Sequence, residues 1–144
     1  MKIFITGNLG FIGTYLSEIL IKERYTIIGY DKQKPNSKLK YECIQGDVLN
    51  GELLRKSITS DIDCVIHLAA AHKDNIKPES LYHDINVGGT KNIINACENN
   101  DVKNIIFTST VAVYGLNAIS TNEDSKLNPF NDYGKSKLKA EAHL

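Results

Sequence analysis

The sequence carries no surplus of charge of either sign: 17 lysines and arginines stand against 17 aspartates and glutamates. No net field therefore draws it toward nucleic acid or an anionic membrane surface. Lys135, Lys137 and Lys139 are locally dense, but they alternate with polar and apolar residues at helical spacing and read mostly as a solvated face. No apolar run reaches the length of a membrane span, and the amino terminus lacks the apolar core and small-residue cleavage site of an export signal. A soluble, cytoplasmic chain is expected. Cysteine is scarce as well. Cys43, Cys64 and Cys97 are odd in number and widely spaced, which argues against a disulfide framework or a zinc site; each falls in a predicted strand or helix, as a buried reduced thiol would. Internal repeats and low-complexity tracts are also missing. What remains is 144 residues with 42% hydrophobic content, enough for one domain with a real core.

Hydrophobic patterning orders that domain. KIFIT at 2–6 reads as a short buried strand stopped by Gly7, and from Phe11 the period changes to that of a helix reaching about Glu23. TIIGY at 26–30 is a second strand ending at Asp31, KQKPNSK is a polar turn, and YECIQ at 41–45 is a third strand before a modest helix over 49–58. DCVIHLA at 63–69, a helix over 81–99 and KNIIFTS at 103–109 continue the alternation, and a last helix begins near Asn131. Short strands alternating with longer helices predict βαβ units and a mostly parallel, doubly wound α/β sheet. Such a sheet holds ligands at the carboxyl ends of its strands, and the strong polar signals of this chain all follow strands.

The first of these signals is TGNLGFIG. Gly7, Gly10 and Gly13 lie between a strand and a helix, where they permit a tight turn, close approach of a pyrophosphate to the backbone, and close packing of helix on sheet. The free N–H groups of the helix start would then hold phosphates. Asp31 follows 18 residues after Gly13, where a carboxylate can accept from the ribose hydroxyls of an adenosine and repel a 2′-phosphate, which favours NAD over NADP. Alone, Asp31 reads equally as a turn-initiating residue. Asp47, in GDV after the third strand, reads either as a contact to the adenine amino group or as a helix cap or turn residue.

Near the end of the chain, Tyr133 and Lys137 stand one helical turn apart on one face, with Gly134 leaving room for a close neighbour. An ammonium beside a phenol equips it as a general acid or base and can also hold a ribose hydroxyl. A tyrosine and a lysine at this interval are also common on ordinary surface helices. STVAVYG places Ser109 and Thr110 at the exit of the fifth strand, where Thr110 either meets a substrate oxygen or merely ends the strand. The connection from 115 to 132 is long for a βα loop, as binding loops often are.

At these residues the sequence resembles the extended short-chain dehydrogenase/reductase family, in its NAD-dependent epimerase/dehydratase branch with the UDP-glucose 4-epimerases. TGNLGFIG, Asp31, GDV at 46–48, HLAA at 67–70, NVGGT with Asn86, STVAVYG and YGKSK occur in the family's order along the whole chain. The resemblance implies a Rossmann domain. It further implies that Gly7, Gly10, Phe11, Ile12 and Gly13 line the pyrophosphate, that Asp31 holds the adenosine ribose, and that Asp47 and Val48 meet adenine. Leu68, Ala69 and Ala70 would lie along the cofactor and Asn86 would be a polar contact to it. Tyr133 would be the catalytic base, Lys137 its partner and ribose anchor, and Thr110 the third member of the set. His72 is read as a loop residue.

The mechanism implied is oxidation of a nucleotide-sugar hydroxyl by retained NAD, rotation of the keto-sugar, and return of the hydride to its other face, with a UDP-sugar as the expected substrate. A related reductase or dehydrogenase, or a non-catalytic dinucleotide-binding fragment, are the alternatives. Family dehydratases of the 4,6 type carry an Asp-Glu pair directly after the threonine; Val111 and Ala112 stand there and can move no proton. Family members run to roughly double this length, so the resemblance implies a Rossmann domain cut within its tyrosine-bearing helix, without the smaller substrate domain, and with little turnover of its own. Family homodimers pair through the helices that match 81–99 and the tyrosine helix, so a homodimer is a further expectation.

Overall fold

The structure is a computed structural model that describes residues 1–35, 38–116 and 120–144. Five parallel strands form one sheet in the order β3-β2-β1-β4-β5, with β1 at Lys2–Thr6, β2 at Thr26–Asp31, β3 at Glu42–Gln45, β4 at Cys64–His67 and β5 at Ile105–Phe107. This is the expected doubly wound, Rossmann-like α/β fold. The chain runs outward from β1 to β3, returns to β4 beside β1, and then proceeds the other way. The reversal leaves a crevice at the carboxyl ends of β1 and β4.

Alternation along the strands splits the core in two. Ile3, Ile5, Ile27, Cys64 and Ile66 face α1 (Phe11–Lys22), whose Leu16 and Leu20 pack on them. Phe4, Ile28, Tyr30 and Val65 face the opposite side, where Leu54 of α2 (Gly51–Ser57) and Ile93, Ala96 and Cys97 of α4 (Gly89–Asn99) complete a larger cluster. Each buried isoleucine, leucine, valine or phenylalanine side chain contributes about 1.5–3 kcal/mol. Among the described residues no helix is long and apolar enough to cross a membrane.

Local chemistry sets the helix boundaries. Asn50 caps α2 by accepting from the Leu53 N–H at 3.0 Å, so that helix starts two residues later than its apolar pattern implied. Asn131 likewise accepts from the Gly134 N–H at 2.8 Å and opens α5 (Asp132–Glu141), which closes three residues before Leu144. The helix expected over 81–99 is instead divided into α3 (Ser80–His83), a π-helical turn at Asp84–Gly88, and α4. From the first turn of α4 the Thr90 hydroxyl donates back to the Asn86 carbonyl in the π-helical turn at 2.6 Å, adding a side-chain bond across the junction. The polar turn around residue 35 and the long connection from 115 to 132 both include residues outside the described set.

Candidate functional site

The crevice holds a cavity of about 560 Å³. Gly7, Gly10, Asp31, Asp47, Val48, Leu68, Ala69 and Ala70 line it, contributed by the ends of β1, β2, β3 and β4. Gly7 has φ of +70°, and a β-carbon there would stand 2.8 Å from the Ala69 nitrogen; only glycine turns the chain so tightly against β4. A β-carbon on Gly13 would lie 2.3 Å from the Gly7 carbonyl oxygen, so the third glycine brings α1 onto the turn rather than onto the cavity.

Gly10 is the N-cap of α1 and offers no side-chain cap. The N–H groups of Phe11, Ile12 and Gly13 have no hydrogen-bond partner among the described residues; the intrahelical ladder starts with Thr14 donating to Gly10 at 2.9 Å. Three free donors at the positive end of a helix suit a diphosphate. The side chains of Phe11 and Ile12 point elsewhere. Phe11 is 95% exposed, and neither residue lines the cavity, so any contact they make with a cofactor there runs through the backbone.

Asp31 is buried, and both its oxygens accept from backbone: Leu9 N–H at 3.0 Å and Gln33 N–H at 2.9 Å. It therefore fastens the glycine turn to the end of β2 as well as bordering the cavity. Asp47 accepts from the Leu49 N–H at 2.9 Å, a turn ahead of α2 rather than its cap, which is Asn50, and it also lines the cavity. Tyr30, which sequence patterning marks only as a strand residue, donates its hydroxyl to the Asp47 carbonyl at 2.9 Å. Burial, with the Asp47 carboxylate adding to it, pushes its phenol up to about 12, so it stays a neutral donor.

Asn86, expected to contact the cofactor, takes a different place. It is 1% exposed; its amide donates to the Ala71 carbonyl at 3.1 Å and the Ser136 hydroxyl at 2.8 Å, and its oxygen accepts from the Ala71 N–H at 2.7 Å. Every polar group of that side chain is engaged in joining the loop after β4 to α5. Ser136 passes the connection to the Tyr133 carbonyl at 2.7 Å.

Tyr133, Lys137 and Thr110 stand apart from the cavity lining. Tyr133 borders a second hollow of about 370 Å³ with Asp74, Lys77, Glu79, Tyr82 and Asp132, and Ile76 lines both hollows, making them neighbours. Thr110 caps the 3-10 turn at Val111–Tyr114, its hydroxyl accepting from the Ala112 N–H at 3.2 Å. That turn reaches α5 at Gly134, where a β-carbon would stand 2.7 Å from the Ala112 carbonyl oxygen. The close neighbour for which Gly134 leaves room is this carbonyl. Lys137, counted among the solvated lysines by spacing, is 3% exposed; burial brings its ammonium down to about 8, against the favourable pull of Glu141.

His67, at the end of β4, is not among the site residues read from the sequence; it lines neither hollow and lies fully buried beneath the crevice, between Thr6 of β1 and Thr90 of α4. The Thr90 hydroxyl donates to the Asn86 carbonyl, so at 3.2 Å it accepts from His67 Nε2–H; Thr6 accepts from the Ala69 N–H at 3.3 Å and donates to Nδ1 at 2.7 Å. These partners define a neutral imidazole. Burial, with the Lys137 ammonium adding to it, holds it down to about 3. The signal available in the sequence was a histidine inside an apolar strand, which by itself does not separate a core residue from a site residue.

The sequence matches the NAD dependent epimerase/dehydratase family over residues 3–144. It is 45% identical over 143 residues to the N-acetyl-alpha-D-glucosaminyl-diphospho-ditrans,octacis-undecaprenol 4-epimerase of Escherichia coli O157:H7, covering 99% of this chain and 42% of that one. It is 37% identical over 170 residues to the dTDP-D-glucose 4,6-dehydratase of Dictyostelium discoideum, covering 99% of this chain and 39% of that one. The crystal structure of UDP-glucose 4-epimerase from Brucella ovis in complex with NAD superimposes with a TM-score of 0.91 at 29% identity, covering 99% of this chain and 46% of that one. The chain thus spans less than half the length of each. With its glycine turn, its strand order and this match along nearly every residue, the chain belongs to the NAD dependent epimerase/dehydratase family.

Proposed function

We propose that this chain binds NAD in the 560 Å³ cavity and that, in a protein of its relatives' length, it serves 4-epimerisation of a hexose carried on a diphosphate, with a UDP-sugar as the first candidate. The observation that carries this reading is the buried Lys137, one helical turn from Tyr133, whose ammonium has no hydrogen-bond or ion-pair partner among the described residues. A buried ammonium without an acceptor is costly, and a ribose hydroxyl would supply one.

The residues present fit the dinucleotide. The unpartnered N–H groups of Phe11, Ile12 and Gly13 would hold its diphosphate, and the glycine turn, packed where β-carbons would collide with Ala69 and with the turn itself, would hold the start of α1 close to β1 and β4 beside it. Asp31 would take the adenosine ribose, Asp47 and Val48 would border adenine, and Leu68, Ala69 and Ala70 would line its length. When bound, NAD supplies a hydride acceptor that also returns the hydride. Tyr133 would remove the proton of the sugar hydroxyl and later give it back. Lys137 would keep a positive charge beside that phenol, and Thr110 would hold the same sugar oxygen with its hydroxyl. Val111 and Ala112 offer no carboxylate to eliminate water, so epimerisation is favoured over 4,6-dehydration despite the 37% identical dehydratase.

A second reading keeps this chemistry and changes the carrier. The relative at 45% identity is named for a sugar on diphospho-undecaprenol, whereas the UDP-glucose 4-epimerase structure stands at 29%. Thermal shift with NAD and NADP, followed by proton NMR of the sugar after incubation with UDP-N-acetylglucosamine or with its diphospho-undecaprenol counterpart in detergent, tests both. Stabilisation by NAD above that by NADP is expected of this chain, and appearance of the C4 epimer on one carrier is expected of a protein of its relatives' length. Absence of any dinucleotide stabilisation in the folded protein overturns the proposal. Stabilisation with no sugar response on either carrier reduces it to a dinucleotide-binding module.

A further inference from the structure

Lys137 lies in a chemical setting that its spacing from Tyr133 does not explain. Its Nζ stands 3.8 Å above the centroid of the Phe107 ring. Phe107 ends β5 and is paired in register with His67 on β4, the two rings being 5.6 Å apart at 50°. Nothing else among the described residues gives the ammonium a hydrogen bond or an ion pair. A cation drawn out of water needs compensating negative potential, and an aromatic face supplies it through its quadrupole, most strongly when both are desolvated.

The other groups around the ammonium do little to replace that ring. Glu141, one turn further along α5, favours the charge, but its carboxylate also takes the Ser109 hydroxyl. Tyr133 lies one turn back on the same helix. From β4 comes His67, held neutral with both ring nitrogens engaged by threonines. The π-helical turn carries the exposed Asp84, and the 3-10 turn has Tyr114 as its one titratable residue.

We infer that Phe107 is a positioning residue, whose ring face holds the Lys137 ammonium charged and aimed between β5 and α5 before any ligand arrives. This rests on the reading of Lys137 as the anchor for a cofactor hydroxyl. The ring does for the free protein what that hydroxyl would do in the complex, so the charged lysine need not reorganise when the dinucleotide binds.

The test reads the lysine directly. Lysine side-chain NMR is recorded across pH on the unaltered protein, on Phe107→Leu, on Phe107→Tyr, and on protein with a trifluorinated phenylalanine placed at 107 alone. Fluorination weakens the ring's negative face with little change of shape. In the unaltered protein one lysine ε-methylene is expected upfield of the others from the ring current, titrating near 8. In Phe107→Leu and in the fluorinated protein that midpoint falls by about one pH unit, and Phe107→Tyr restores it. NADH affinity at pH 8 falls about tenfold in the same two proteins and is restored by tyrosine, whereas at pH 6 the difference shrinks. No upfield lysine signal, or a midpoint unmoved by fluorination, overturns the inference. Should Phe107→Leu not fold, the fluorinated protein decides. Loss of all dinucleotide binding in a protein that keeps the shifted lysine would overturn the proposed function and leave the ring-held lysine standing.

Discussion

The Asn8 side chain fills the place that a β-carbon on Gly29 would take: such a carbon would stand 2.3 Å from Asn8 Nδ2 and 2.5 Å from its Cγ. Asn8 lies inside the glycine turn and is fully buried; its amide donates to the Tyr41 hydroxyl at 3.1 Å and contacts Cys43 Sγ at 3.4 Å. One polar side chain thereby ties the glycine turn to β2 and β3. Gly29→Ala is expected to destabilise the protein by about 1–3 kcal/mol and to weaken dinucleotide binding. Asn8→Ala in the same chain vacates the space, so the double variant is expected to recover much of that loss. Denaturant melts of the four proteins read the coupling; additive losses would contradict the contact.

Gly134 makes a comparable demand. A methyl group there meets the Ala112 carbonyl, backbone against helix, with no flexible side chain to yield. Gly134→Ala removes a weak helix former and so gains by propensity, yet a net loss of about 1–3 kcal/mol is expected. Lys135→Ala, on the exposed side of α5, serves as the neutral comparison. Should Gly134→Ala raise the melting temperature, the packing of α5 on the 3-10 turn is looser than described.

His67 gives the protein a pH dependence of defined sign. Its imidazole is held at about 3 when folded against an ordinary value of 6.5, so between those values the unfolded chain binds a proton that the folded one does not. The contribution is complete above about 6.5 and is lost as pH falls toward 3. Melting temperature is expected to level off above pH 6.5 and to drop below it. In His67→Asn the drop between pH 6.5 and 4.5 should be shallower, although the variant starts from lower stability. Parallel slopes in the two proteins would contradict this.

Lys137 should separate stability from function. Because burial lowers its ammonium to about 8 from 10.5, the folded state carries a penalty that is full below 8 and is relieved as pH rises toward 10.5. Lys137→Met keeps length and apolar stem while removing the charge. The melting temperature at pH 7 is expected to rise by about 2–5 °C, while dinucleotide affinity falls sharply. A lower melting temperature would mean that the Phe107 contact outweighs desolvation.

Strands β1 and β2 were legible in the sequence to within a residue, because short β-branched runs bounded by glycine or aspartate leave few alternatives. β4 and β5 came out shorter than their apolar runs. The ladder ends where β1 stops supplying partners, with Thr6 opposite His67, and apolar residues beyond it turn into the loops. The single helix over 81–99 is divided by a π-helical turn at Asp84–Gly88, a local change of hydrogen-bond register that hydrophobic periodicity does not report.

The sequence by itself determined the alternation of strands and helices, the glycine turn followed by an acidic strand end, and the one-turn interval between Tyr133 and Lys137, since each is fixed by residue type and spacing along the chain. Only the tertiary structure decided what those side chains meet. Asn86 turned from cofactor contact to strut because Ala71 and Ser136, the latter 50 residues away, converge on its amide. Lys137 became a buried cation on an aromatic face because parallel pairing of β4 and β5 sets Phe107 beside His67 and under α5. Spacing is a property of the chain, whereas desolvation and hydrogen-bond partnership depend on distant residues, and these set the charge and reach of a site.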